Sequence, residues 1–199
     1  MHPSLLQPAT AFDGTRQLKA GPLHVVALAA KRALARKAAG PVLVFDDLTG
    51  KIVEIDPRGG DREVLERLAA GAPPEPLAAE PRGPGRPRLG VVAREVTLLP
   101  RHWAWLGSQP GGASVALRKL VDDARRTHAG RDARRRAQEA AYAFISVAAG
   151  DRPGFEEAAR ALFRNDAARF ATLVEAWPRD LAAYARALAF PEDVAPVDP

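Results

Sequence analysis

Residues 91–126 read VVAREVTLLPRHWAWLGSQPGGASVALRKLVDDARR, and this stretch is the most informative part of the chain. Val91–Leu99 is β-branched and apolar enough to form a strand. Pro100 ends that strand and suits the first turn of a helix, where its missing N–H costs nothing. Arg101–Ser108 carries two tryptophans and is predicted to be a short amphipathic helix.

A second helix is predicted after a break at Pro110, Gly111 and Gly112. Ser114 can cap this helix, because a serine hydroxyl accepts from the free backbone N–H groups of a first turn. Its apolar positions recur at helical spacing: Val115, Leu117, Leu120, Val121 and Ala124. Four basic residues lie largely outside that stripe: Arg118, Lys119, Arg125 and Arg126.

The order of strand, Leu-Pro, Trp-containing helix, glycine turn and Leu-Arg-x-Leu-Val helix resembles the ribbon-helix-helix family of dimeric DNA-binding proteins. The resemblance implies a homodimer in which residues 94–99 of two chains pair as a ribbon that enters the major groove of duplex DNA. It also implies a phosphate clamp at Gly112, Ala113 and Ser114, the start of the second helix. Arg118 and Lys119 are further candidate DNA contacts.

The side chains of the ribbon fit sequence reading less well than its shape does. Alternation places Arg94 with Val96 and Leu98 on one face, and Glu95 with Thr97 and Leu99 on the other. Only Arg94 or Thr97 can then contact base edges. A transcriptional regulator-like DNA-binding function is therefore one hypothesis. The other is a protein-interaction or assembly module that binds no specific DNA sequence.

The charge of the chain is unevenly distributed, although its total is +5. Residues 82–136 contain thirteen basic and four acidic residues, whereas residues 137–199 contain six basic and ten acidic ones. Such a basic centre is expected of a phosphate-binding surface. It is equally expected if the acidic C-terminal third packs against it.

The stretch before the central motif, residues 71–90, is rich in proline and glycine and is predicted to be a linker. Its second half, PRGPGRPRLG, resembles the Arg-Gly-Arg-Pro core of AT-hook segments. That resemblance implies that Arg86 and Arg88 insert into an A·T-rich minor groove. A plain basic linker is the alternative.

The flanking parts predict an α+β fold, with a small βαββα unit over residues 1–70 and a helical bundle over 128–190. In the first unit we predict a strand at Thr10–Leu18, a helix at Val25–Ala38, a hairpin at Pro41–Asp56 and a helix at Arg62–Ala70. The bundle follows the central segment, residues 91–127. It is predicted to be helical from Arg131 onward, through RRRAQEAAYAFISVAA, and then to contain helices at 154–163, 166–177 and 179–188. Its core aromatics are predicted to be Phe155, Phe163, Phe170, Trp177 and Tyr184. Residues 191–199 are expected to form a disordered tail.

Over nearly its full length the sequence is similar to a family of bacterial proteins catalogued as domain of unknown function twenty-two thirty-nine. The stretches that carry this similarity include VLVFDDLTG, GRPRLGVVAREVTLLPRHW, QPGGASVALRKLV and GFEEAARALF. The similarity implies no activity.

The sequence does not favour an enzyme. The absence of cysteine excludes a thiolate zinc site and a cysteine nucleophile, and the four histidines have no partner at metal-ligand spacing. Asp46 and Asp47 suit a turn better than a catalytic or Mg²⁺ site. No metal or cofactor is therefore expected. The lack of cysteine, of a signal segment and of a long apolar run predicts a cytoplasmic protein without a membrane span.

Overall fold

The computed structural model describes residues 4–70, 92 and 94–191. Its contacts divide the chain into two compact units, the first made of residues 1–73 and 130–199 and the second of residues 74–129. The described part contains three strands and seven helices, which confirms the α+β class. The predicted linker at residues 71–90, with Arg86 and Arg88, lies outside the described residues, as do residues 192–199 of the predicted tail.

The first unit begins with a three-stranded antiparallel sheet of strand order β2-β1-β3. The strands are β1 (Pro8–Asp13), β2 (Arg16–Pro22) and β3 (Val42–Asp46). The central strand β1 is buried from Ala9 to Asp13, whereas β2 is largely exposed. Residues between β1 and β2 form a tight turn in which Gly14 adopts a φ of +59°, a conformation that glycine accepts without strain.

The predicted βαββα order is wrong, because the chain forms ββαβα instead. The predicted strand at Thr10–Leu18 is two strands joined by the turn at Gly14. The predicted hairpin at Pro41–Asp56 forms only in part: its first arm is β3, and its second arm contributes the single bridge Phe45–Ile52. That second arm leaves the sheet after Val53, whose N–H donates to the Val44 oxygen.

Two helices of the first unit form in the places that the sequence predicts. These are α1 (Leu23–Ala35) and α2 (Asp61–Ala70). The buried face of α1, which includes Leu23, Val26 and Ala30, packs with β1 and β3. Val64 and Leu68 of α2 pack against Ala27 of α1, and an ion pair between Lys31 and Asp61 joins the two helices.

Three of the predicted bundle helices are confirmed as α5 (Phe155–Phe163), α6 (Ala167–Val174) and α7 (Arg179–Ala189). Asp166 caps α6, since its carboxylate accepts from the Arg169 N–H at 2.9 Å. Of the five predicted core aromatics, Phe170, Trp177 and Tyr184 are buried and Phe155 packs at the edge of the core. Phe163 is the exception, because it is exposed.

The sheet and the C-terminal helices share one core within the first unit. Phe12 of β1 and Phe45 of β3 cluster with Phe144 and with Tyr184 of α7. Polar contacts join the same elements: the Asp180 carboxylate accepts from the Gln17 N–H of β2 at 2.9 Å. The N-terminal sheet and the C-terminal helices therefore belong to the same folded body.

The second unit contains α3 (Pro100–Gly107), and α4 (Gly112–Ala148) supplies residues to both units. The strand predicted at Val91–Leu99 is wrong for the single chain, because its described residues, 92 and 94–99, are irregular. The helix predicted after the break at Pro110, Gly111 and Gly112 and the helix predicted from Arg131 onward form one continuous helix, α4. Gly130 is a weak interruption, because one glycine costs a helix about 1 kcal/mol and the flanking Ala and Arg residues favour helix.

Candidate interaction surface

The turn between α3 and α4 is built from residues 108–112. The Ser108 hydroxyl and the Gln109 side-chain amide both donate to the Trp105 oxygen, at 2.8 and 3.1 Å, and so satisfy the end of α3. Gly111 and Gly112 then adopt φ values of +84° and +73°, which favour glycine. This sequence therefore ends α3 and places a turn before α4, as the glycine pattern predicts.

Large apolar side chains of the second unit are exposed. Trp103 and Trp105 of α3 are 43% and 52% exposed, and Leu120 and Val121 of α4 are 46% and 54% exposed. Only Leu106 and Ala116 are buried apolar residues among the described residues of this unit. Every residue of α4 from 118 to 127 is exposed. We call Trp103, Trp105, Leu120 and Val121 the exposed apolar set.

The opposite side of α4 is basic. At 100° per residue, Arg118 and Arg125 share one line along the helix, while Lys119 and Arg126 share a second line about 100° away. All four are exposed, and Arg126 forms an ion pair with Asp123. Asp122 projects between the two lines, which lowers the positive potential of this face.

The structure brings together some of the residues predicted to contact DNA. Gly112, Ala113 and Ser114 form the first turn of α4, and Arg118 and Lys119 follow one turn later on the same helix. Helix α4 begins at Gly112, so Ser114 lies inside its first turn and is not the cap, which corrects that prediction. Arg94 and Thr97 are exposed in the irregular segment before α3, apart from the first turn of α4 in sequence.

A family model described as an uncharacterised protein conserved in bacteria matches residues 8–189. The chain belongs to this family, DUF2239. Comparison of the DUF2239 chain with curated proteins and with solved structures gave no match in either case. The ribbon-helix-helix resemblance of residues 91–126 has no support from these comparisons. Among its described residues the DUF2239 chain has no helix long and apolar enough to cross a membrane.

Asp46 and Asp47 of the DUF2239 chain have structural partners. The Asp46 carboxylate accepts from the Leu48 N–H at 2.8 Å and from the Thr49 hydroxyl at 3.0 Å, which is the turn role that the sequence predicts. Asp47 instead accepts from the Tyr184 hydroxyl at 2.6 Å. Burial raises the pKa of Asp47, an effect that hydrogen bonds from Tyr184 and Thr10 oppose.

The partnership between Asp47 and Tyr184 could not be read from the sequence, because the two residues are far apart in the chain. Burial and the neighbouring Asp47 carboxylate raise the pKa of the Tyr184 hydroxyl, so this phenol stays protonated and acts as a donor. Within the part of the chain that the structure describes, no three metal-ligating side chains gather as a metal site would need. The hydrogen bond between Asp47 and Tyr184 links the residue that follows β3 to α7.

An open groove of about 540 Å³ lies in the first unit, between α1, β3 and α2. Its walls are mainly aliphatic: Ala30, Leu34, Val42, Val44, Ile52, Val53, Ile55, Val64 and Leu68. The one basic side chain in its lining, Arg67, donates to the backbone oxygen of Asp56 at 2.9 Å and forms an ion pair with its carboxylate. Arg67 is therefore engaged within the protein and offers no free anchor for an acidic ligand.

Proposed function

We propose that this DUF2239 chain is a protein-interaction and assembly module, and that its second unit binds the partner. The observation that carries the proposal is the exposed apolar set, two tryptophans with Leu120 and Val121, beside a core of only two buried apolar residues in the described part of that unit. Tryptophan is enriched at protein interfaces, where it contributes much of the binding energy. The exposed surface of the second unit therefore has the composition of a protein interface.

The exposure of α4 supports the same proposal. A helix is stabilised mainly by packing of its apolar face, and short isolated helices are marginal in water. Residues 118–127 are exposed all round, yet Leu120, Val121 and Ala124 of this stretch form an apolar stripe with the half-buried Leu117 that precedes it. A partner that covers the stripe would supply the packing that the single chain lacks.

Replacing Leu120 and Val121 together with glutamine is expected to remove the association of this surface. Each of these side chains contributes about 1.5–3 kcal/mol when fully buried at an interface, so the double variant should bind at least about 100-fold more weakly. The measurements are sedimentation velocity, which reports self-association, and titration with a hydrophobic fluorescent dye, which reports an uncovered apolar surface.

The matched control is replacement of Lys119 and Arg126 with glutamine on the other side of the same helix. Glutamine, lysine and arginine have similar helix propensity, so the control changes the polar face and leaves the apolar stripe intact. It should sediment and bind dye as the wild type does. Equal behaviour of the wild type and the Leu120 and Val121 double variant in both assays would refute the proposed function.

A second candidate function is binding of duplex DNA, and the basic side of α4 favours it. Arg118, Lys119, Arg125 and Arg126 follow the first turn of α4, whose backbone N–H groups and helix dipole attract anions. This arrangement suits contacts with the phosphate backbone, which position a protein without reading sequence. Base reading by Arg94 or Thr97, and pairing of residues 94–99 between two chains, remain predictions from the resemblance.

Replacing Asp122 with asparagine is expected to strengthen DNA binding under this second candidate. Asp122 lies between the two basic lines, where its carboxylate would repel a DNA phosphate. Two like charges about 4 Å apart in water repel each other by about 1 kcal/mol, so removing this charge should raise the affinity for DNA about fivefold. Replacing Arg118 and Lys119 with alanine should have the opposite effect. It should also lower the slope of log affinity against log salt by about 1.8, or about 0.9 per phosphate contact.

These two variants are measured by fluorescence anisotropy with a labelled duplex at several salt concentrations. Equal affinities of the wild type, Asp122→Asn and the alanine variant would rule out this face of α4 as the DNA-binding surface. Absence of any binding at low salt would rule out the second candidate altogether.

A further inference from the structure

We infer that the outer edge of β3 binds an extended peptide of another protein, which joins the sheet as an added strand along the aliphatic groove of the first unit. The peptide is apolar at alternate positions and carries a lysine or arginine at the end that meets Glu54. This site is separate from the proposed function, because it lies in the first unit and uses none of the exposed apolar set.

The backbone groups of β3 alternate between its neighbour β1 and the groove. The Val44 oxygen accepts from the Val53 N–H at 2.8 Å, and the Asp46 N–H donates to the Lys51 oxygen at 2.9 Å. Val44 and Asp46 therefore turn these groups away from β1. Val42, two residues earlier, does the same, because the direction of the backbone groups alternates along a strand.

The pairing along this outer edge ends after the isolated bridge between Phe45 and Ile52. Among residues 4–70, 92 and 94–191, no hydrogen bond satisfies the Val44 N–H or the N–H and oxygen of Val42. Val44 is only 3% exposed, and buried backbone groups are nearly always paired. This row of donor, acceptor and donor is complementary to the backbone of an added strand.

The groove supplies an apolar surface beside the same edge. Leu34 of α1 and Ile52 lie in its walls, and each is 43% exposed. Val42 and Val53 continue this surface. Alternate side chains of a strand point to opposite sides, so a peptide with an apolar residue at every second position would place those residues against the walls.

The opposite edge of the sheet is protected against such pairing. Strand β2 carries Arg16 and Lys19, and the Asp180 carboxylate accepts from its Gln17 N–H at 2.9 Å. Charged side chains are a common means of keeping a sheet edge from pairing with another chain. The first four residues of β3, VLVF, carry no charge. The two edges therefore differ, and β3 is the edge that can receive a strand.

The charges of the groove select a basic peptide. Its lining contains Glu54, Asp56 and Arg67, and Arg67 forms an ion pair with Asp56. Glu54 is exposed and forms no ion pair within the described ranges of the chain. A lysine or arginine of the peptide would complement this carboxylate, whereas an acidic residue would be repelled.

The test uses two synthetic peptides, acetyl-Lys-Val-Thr-Val-Thr-Val-amide and acetyl-Val-Thr-Val-Thr-Val-Lys-amide, which place the lysine at either end. Hydrogen exchange of the Val42 and Val44 amides is followed by NMR in the full-length protein. Without peptide these amides should exchange faster than those of Leu43 and Phe45, which face β1. At a peptide concentration of about ten times Kd, one of the peptides should slow their exchange about tenfold, because only the free protein exchanges.

Val42→Pro removes one of the free N–H groups and leaves the hydrogen bonds to β1 in place. Proline is tolerated at the first residue of an edge strand. The affinity for the peptide should fall about fivefold, the effect of one lost hydrogen bond. The matched control, Val42→Ala, also shortens the side chain but keeps the N–H, so it should bind more tightly than Val42→Pro. Urea unfolding checks that both variants are folded.

N-methylation of the peptide gives a second reading that does not depend on a folded variant. Methyl groups on one set of alternate amides would block the bonds to β3 and abolish binding, whereas the other set points away and should be tolerated. Equal effects of the two sets would overturn the inference.

Glu54→Gln tests the charge that we assign to the peptide. It should weaken binding of the lysine peptide about two- to fivefold, as expected for an exposed ion pair. It should not change binding of the same peptide with glutamine in place of lysine. Glu156→Gln, on α5 and outside the groove, is the matched control and should bind as the wild type does.

Three results would overturn the inference. The first is that neither peptide slows exchange of the Val42 and Val44 amides at millimolar concentration. The second is that these amides already exchange as slowly as those of Leu43 and Phe45 without peptide, since another stretch of this chain would then cover the edge. The third is equal affinity of Val42→Pro and the wild type, which would place the peptide elsewhere.

Discussion

Replacing Gly50 with alanine is expected to destabilise the first unit by about 3 kcal/mol or more. Gly50 has a φ of +65°, and a Cβ atom added there would lie 1.8 Å from the Ala140 oxygen in α4. A non-glycine residue in this conformation costs about 1–2 kcal/mol, and an overpacked contact typically costs a further 1–3 kcal/mol. The measurement is the free energy of unfolding in urea, followed by circular dichroism.

Gly154 provides the matched control for Gly50 in the same unit. Its φ is +78°, but the nearest atom to an added Cβ is the Leu173 Cδ2, at 4.0 Å. Alanine at this position therefore meets the same backbone strain without the clash, and its cost should stay near about 1–2 kcal/mol. Equal losses for the two variants would mean that the turn at Gly50 does not rest against α4.

The turn at Gly50 illustrates which part of the fold could be predicted from the sequence. Asp47, Thr49 and Gly50 have the residue types of a turn, and a turn forms there, although its carboxylate acceptor is Asp46 and not Asp47. The contact between Gly50 and Ala140 has no local signal, because it joins two segments that are distant in the chain. The same holds for the hydrogen bond between Tyr184 and Asp47.

The errors in the predicted fold have physical causes in particular residues. The hairpin at the start of the chain escapes prediction because β2 is an exposed strand, RQLKAGP, without the β-branched residues that indicate a strand. The two predicted helices that make up α4 are too short because the boundary expected between the central segment and the bundle does not interrupt the helix. Conversely, the sequence predicts the C-terminal helices well, since Pro178 and the cap Asp166 lie at true helix starts.

The candidate interaction surface could be predicted only in part. The glycine turn, the basic residues and the apolar stripe of α4 follow from residue type and spacing. The exposure of Leu120 and Val121 does not, because an apolar stripe at helical spacing ordinarily predicts a buried face. Only the structure shows that this stripe is uncovered in the single chain.

Replacing Phe144 with alanine is expected to lower the free energy of unfolding by about 3–5 kcal/mol, the usual cost for a fully buried phenylalanine. Its ring centroid lies 5.7 Å from Phe12, 4.9 Å from Phe45 and 4.7 Å from Tyr184. One side chain thus contacts β1, β3 and α7 together. The loss in free energy of unfolding should be the same whether unfolding is followed in the sheet or in the helices.

Phe163→Ala is the matched control, because Phe163 is exposed on α5 and contacts the exposed Tyr142 at a centroid distance of 5.3 Å. Its cost should be below about 1 kcal/mol, as for most surface substitutions. Urea unfolding followed by circular dichroism and by hydrogen exchange of β1 amides distinguishes the outcomes. If the sheet loses protection in Phe144→Ala while the helices keep their stability, the sheet and the C-terminal helices do not fold as one cooperative body.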